Sequence, residues 1–147
     1  MPINQAGADH LTEAEMRAKQ IGTSYIRLAI FLLAALFALS VVMQVFLAGM
    51  ASFADPAHWR DHRSFAYYFT PLPLAMLVLT FVGRTGKVTR YQSLGMFILI
   101  ILQYVTAYMG DHMPMLAALH PVLALLLFWI SIICTRQAFT DWRKGRV

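Results

Sequence analysis

Two histidines stand in matching company. His62 follows Gln44, and His120 follows Gln103, at nearly the same separation. Gln, Ala and Met recur at the same offsets in Gln44-Val45-Phe46-Leu47-Ala48-Gly49-Met50 and in Gln103-Tyr104-Val105-Thr106-Ala107-Tyr108-Met109. Neutral imidazole is the commonest side-chain ligand for a metal. Two of them suit the axial positions of a haem iron, which takes its other ligands from the porphyrin. Arg63 directly follows His62, and Arg60 lies just before it. Their guanidinium forks match carboxylates such as the two haem propionates. Ala48, Gly49, Ala66, Ala107 and Gly110 fall near the same level and would make room for a flat ring. No Cys-x-x-Cys-His attachment motif is present, so a haem here would be of b type, held by coordination and packing alone.

Plainer readings compete with this one. A histidine near a membrane surface is often simply interfacial, because an ionisable group costs less there than at mid-membrane. Gln44 and Gln103 serve equally well as hydrogen-bonding residues between helices. They would otherwise lie beside the cofactor. Pro121, next to His120, suits a first helical turn, where a missing N–H costs nothing. His58 and His112, with Asp55, Asp61 and Asp111, offer a second alternative, a divalent-metal site. Asp61-His62 and Asp111-His112 are adjacent pairs that do not share a helix face, so a surface-loop reading of His58 and His112 is preferred.

The elements that must position these residues are written in the composition. The 147 residues are 59% hydrophobic and only 13% charged, against about 25% charged in soluble domains. Lipid is therefore the expected solvent for most of the chain, which excludes a soluble cofactor domain, a nucleic-acid reader and a disulfide scaffold. The net charge of +5 comes from cations flanking apolar runs, where they report topology rather than phosphate contacts. Four runs, at 28–51, 64–83, 91–109 and 113–134, approach or exceed the roughly 20 residues needed to cross a bilayer as a helix. The expected domains are an N-terminal segment (1–24), a four-helix transmembrane domain (25–136) and a basic tail (137–147).

Several details follow. Pro71 and Pro73 should kink the second run rather than divide it, since the remainder is too short to span. Thr12-Glu13-Ala14-Glu15 reads as a capping box opening a short polar helix. The first apolar run is too long for a cleaved signal. Arg17, Lys19 and Arg27 precede span one, Arg84, Lys87 and Arg90 fill the second connection, and Arg136, Arg143, Lys144 and Arg146 follow span four. The positive-inside rule then puts both termini in the cytoplasm. Tyr67, Tyr68, Tyr104 and Tyr108 suit an outer aromatic belt. The fold class expected is all-α, an integral membrane four-helix bundle of two repeated helical hairpins related by an axis along the membrane normal. His62 and His120 then begin spans two and four on the outer side, facing across the bundle.

The string Gln44-Val45-Phe46-Leu47-Ala48-Gly49, with His62-Arg63, Gly83-Arg84, Leu102-Gln103 and Leu119-His120-Pro121, resembles a prokaryotic family of small four-helix membrane proteins of unknown function, over roughly residues 25–136. The resemblance implies a multi-pass protein of the cytoplasmic (inner) membrane. More distantly, the layout is similar to one four-helix half of haem A synthase, where histidines on the second and fourth helices ligate haem and the first belongs to a His-Arg pair. Trp59 stands where that enzyme carries its catalytic glutamate, and the cysteine-bearing outer loop is missing, so haem A synthesis is not implied.

The functional expectation is haem b bound between His62 and His120, for electron transfer or haem handling. The alternative is a cofactor-free accessory protein packed in a larger membrane complex or homo-oligomer. Nucleophile motifs and phosphate loops are absent, so an enzymatic activity of its own is not expected. Transport is disfavoured because Cys134 is the only ionisable group between the outer histidines and the inner arginines.

Overall fold

The fold, a computed structural model, is described over residues 5–144, the side chains of residues 5–12 and of Asp111 excepted. It is all-α. Helix α1 runs Gln5–Phe53, α2 His58–Phe69, α3 Leu72–Val82 and α4 Lys87–Tyr108. A short 3-10 turn, Met109–Asp111, leads to α5 (Pro114–Ala117) and α6 (Leu119–Lys144). Four stretches are long and apolar enough to cross a membrane: Glu13–Phe53, His58–Val82, Lys87–Tyr108 and Pro114–Lys144.

Each span buries one narrow seam at the same spacing. Span one turns Ile30, Ala34, Phe37 and Val41 inward, span two Phe69, Pro73, Met76 and Thr80, span three Thr89, Ser93, Met96 and Ile100, and span four Leu127, Ser131, Cys134 and Ala138. Alternating steps of four and three keep one stripe facing the partners, the geometry of a coiled-coil seam. The small members (Ala34, Ser93, Ser131, Ala138) let backbones approach where lipid offers no hydrophobic drive to associate. The buried hydroxyls are satisfied within the protein, as a bilayer demands. Ser93 donates to Thr89 O at 2.9 Å, Ser131 to Phe128 O at 2.7 Å and Thr80 to Leu77 O at 2.6 Å. Outside the seams, large side chains such as Leu39, Val78, Ile98 and Leu125 remain exposed. Their natural solvent is acyl chain.

Helix α1 packs against α6, α2 and α3, and α4 against α3 and α6. The spans therefore follow one another around the bundle, with spans two and four on a diagonal. Span two is interrupted where the prolines predict. Pro71 and Pro73 lack the N–H that a helix needs, yet Thr70 (φ −62, ψ −24) and Pro71 (φ −71, ψ −18) keep helical dihedrals. The Thr70 and Ala75 amides resume the ladder to Ala66 O at 3.1 Å and Pro71 O at 3.0 Å. One continuous span, His58–Val82, results.

The N-terminal segment departs from expectation. The polar stretch forms no separate short helix, because α1 runs without a break from Gln5 to Phe53. At 49 residues it reaches about 74 Å, well beyond a bilayer core. Thr12 is thus an interior helical position and not an N-cap. Its side chain, like those of His10 and Asp111, and the whole of Arg146, lies outside the described residues.

The turn between α3 and α4 is tightly specified. An added Cβ on Gly83 would lie 2.8 Å from Ile26 Cγ2 of α1, so glycine is what lets the turn sit against that helix. The Thr85 amide bonds Thr80 O at 3.2 Å and the Arg84 amide bonds Phe81 O at 3.4 Å. This is the Schellman closure of a helix end, with Arg84 at φ 47 in the left-handed position.

Candidate functional site

The histidine pair is built from two equivalent joints. At the end of α1, the carbonyl of Gln44 accepts from Nδ1 of His62, at the start of α2, over 3.1 Å. Near the end of α4, the carbonyl of Gln103 accepts from Nδ1 of His120, at the start of α6, over the same 3.1 Å. A carbonyl can only accept, so both rings carry their proton on Nδ1 and leave Nε2 with a lone pair. That tautomer is the one metal-binding histidines adopt when a second group orients them.

The diagonal placement of spans two and four brings the rings together. Their centroids are 6.4 Å apart and their planes 61° apart. Both histidines are half-buried. The surroundings of the two differ. Thr106, buried at 7% exposure, places Oγ1 3.3 Å from His120 Nδ1 while donating to Leu102 O at 2.8 Å. The His120 N–H is therefore shared between two acceptors. His62 has no such hydroxyl; instead Trp59 meets its ring edge-on, with centroids 5.6 Å apart.

The glutamine side chains have a separate problem. Gln44 Oε1 and Gln103 Oε1 are both buried without a hydrogen-bond partner among the described residues. A buried acceptor left unmade costs about 1–3 kcal/mol. It is thus the backbone of each glutamine, rather than its amide, that holds the histidine. Arg60 and Arg63 are exposed at this end of the bundle and form no salt bridge among the described residues. An added Cβ on Gly49 or Gly110 would meet nothing within 4 Å.

The acidic and histidine residues around the α1–α2 and α4–α5 connections do not converge. His58 Nδ1 pairs with Asp61 Oδ2 at 2.9 Å on the exposed start of α2, and Asp55 caps the Ala57 amide at 2.8 Å. His112 lies against the Tyr108 ring, with centroids 6.1 Å apart. Among the described residues no three His, Cys, Asp or Glu gather as a metal set. Tyr67, Tyr68, Tyr104 and Tyr108 are exposed, and Tyr104 meets the Thr70 hydroxyl at 3.4 Å.

Sequence reasoning missed Thr106 as a neighbour of His120, although its place one turn beyond Gln103 was a signal. It also missed a polar knot at the far end of the bundle. There Asp141 Oδ2 accepts from Thr89 at 2.8 Å and Oδ1 accepts from Gln137 at 3.0 Å. Arg27 donates to the backbone carbonyls of Gly83 at 3.5 Å and Asp141 at 3.4 Å.

A family of unknown function (DUF6220) is matched by residues 44–109. The match begins at Gln44, takes in His62 and Gln103, and ends before His120. No curated protein and no solved structure matches the chain.

Proposed function

We propose that this chain is a multi-pass membrane protein that holds one b-type haem between His62 and His120, for electron transfer or haem handling. The observation that carries the reading is the pair of imidazoles 6.4 Å apart, each tied at Nδ1 to a glutamine carbonyl at 3.1 Å. An imidazole nitrogen binds a transition metal at about 2 Å, and rings this close are within reach of one shared group. The donor set agrees in number. Two nitrogens are too few for a bare zinc, which takes three or four protein ligands, but they complete an iron already held by a porphyrin.

In this reading His62 and His120 would ligate the haem iron, and the two carbonyls hold their tautomer and orientation. Arg60 and Arg63, charged and without a carboxylate partner, meet the propionates. The orphaned amides of Gln44 and Gln103 lie beside the group. Held by these two histidines, a haem would supply one-electron chemistry. The matched Gln–His joints favour two repeated hairpins. Cations around the connection between α3 and α4 and after span four favour a cytoplasmic location for both termini, and in this reading the histidines belong to the outer side of a cell membrane.

The test is an absorption spectrum of the detergent-purified protein expressed with ample haem, oxidised and then dithionite-reduced. A Soret band that is lost in His120→Ala and strongly weakened in His62→Ala is the expected result. A colourless wild-type protein overturns the reading. One observation favours a cofactor-free accessory role instead: both Nδ1 atoms are already satisfied within the protein, so the pair is stable as an interhelical contact.

A further inference from the structure

We propose a second site at the opposite end of the bundle, where the ends of spans one, two and four border an open hollow that takes a phosphate-bearing anion. The cavity measures about 430 Å³ and is lined by Lys19 and Arg27 of α1, Arg84 of the α3–α4 turn and Lys144 at the end of α6. No carboxylate is among its lining residues. The nearby acid, Asp141, spends both carboxylate oxygens on Thr89 and Gln137, and Arg27 reaches only its backbone carbonyl. Four like charges from three separate elements thus line one hollow, and none of them forms a salt bridge among the described residues. Positive flanks alone require cations near the membrane surface; they do not require them to share a cavity.

The backbone supplies an independent observation. Arg84 occupies the left-handed position of its Schellman turn at φ 47, a place where glycine is usual because a Cβ is strained there. Gly83 precedes it and Gly86 follows two positions on, yet the strained position carries an arginine whose side chain lines the cavity. Strain retained at a ligand-facing residue is a mark of a site. Arginine forks and lysine point charges together are the donors that phosphate oxygens take. Thr23 and Ser24 add hydroxyls to the wall. Such a ligand comes either from an anionic phospholipid headgroup or from free phosphate.

The test uses the full chain in neutral detergent at constant ionic strength. Retention of phosphatidylglycerol is read by native mass spectrometry against zwitterionic phosphatidylcholine, and inorganic phosphate is read by equilibrium dialysis. Arg84→Gly combined with Lys144→Gln should weaken binding at least about tenfold, the smallest loss expected for even one charged hydrogen bond, while Arg136→Gln, exposed but outside the cavity, should not. Glycine relieves the turn, so Arg84→Gly alone should melt no lower than the wild type and still bind less. Preference for phosphatidylglycerol identifies a headgroup site; binding of inorganic phosphate alone identifies a soluble ligand. The proposal is overturned if neither binds, or if Arg136→Gln weakens binding as much as the cavity variants, which is the behaviour of diffuse surface charge. A colourless protein that still binds the anion would separate this site from the histidine pair.

Discussion

His62 and His120 are held by the same bond and surrounded differently. Each ring hangs from a glutamine carbonyl at 3.1 Å, but only His120 has a hydroxyl, Thr106, sharing its N–H. His62 has Trp59 at its edge and Arg63 beside it in the chain. The common part is backbone geometry, which places a ring. The differing part is side-chain chemistry, which tunes it. A second acceptor draws the Nδ1 proton and makes Nε2 a better donor, whereas a cation next to His62 makes that ring a poorer one.

The comparison can be broken most forcefully by removing one ring at a time. Under the haem reading, His120→Ala should abolish the Soret band. His62→Ala should leave a weak residual band, because the more electron-rich ring remains. Equal losses in titrations of the two variants with haemin would show that the hydroxyl does not matter. Next in size, Gln44→Leu and Gln103→Leu keep the carbonyl and remove an orphaned amide oxygen. Each should raise the stability of the haem-free protein by about 1 kcal/mol, measured as reversible unfolding in detergent. Should haem affinity fall while haem-free stability rises, the amides touch the group.

Thr106→Val sharpens the asymmetry directly. Partners that orient a ligating histidine are typically worth 10–100-fold in affinity, and at 3.3 Å this one belongs near tenfold or below. The bound spectrum should persist with weaker haem retention, while unfolding free energy drops by about 0.6 kcal/mol, the usual worth of a hydrogen bond within a membrane. The smallest effect is expected from Trp59→Phe, which keeps an aromatic edge near His62. A Soret shift larger than that of Thr106→Val would reverse the ranking of the two surroundings.

Much of this architecture was legible in the residues. Apolar run length reports a span directly, because a bilayer fixes how many helical residues must be apolar. Pro71 and Pro73 announced their interruption because a missing N–H acts locally. The pairing of His62 with Gln44 and of His120 with Gln103 was visible as recurrence, although the carbonyl that makes each joint has no sequence signature. The Thr89–Asp141–Gln137 knot was not legible, since Thr89 lies far from the other two in the chain and meets Asp141 only when spans three and four pack. Nor was the unbroken course of α1. Capping residues state a local preference, and continuation of the helix overrode it at Thr12.

The sequence by itself determined four apolar spans, their cationic flanks, the proline interruption and the candidate imidazoles, because each depends on the character of neighbouring residues in lipid or water. Only the tertiary structure decided that spans two and four lie on a diagonal, that the rings come within 6.4 Å, and that Lys19, Arg27, Arg84 and Lys144 share one cavity. Those outcomes depend on which narrow seam of each helix meets which neighbour. That choice is made by close packing among groups distant in the chain, not by the local pattern of hydrophobicity.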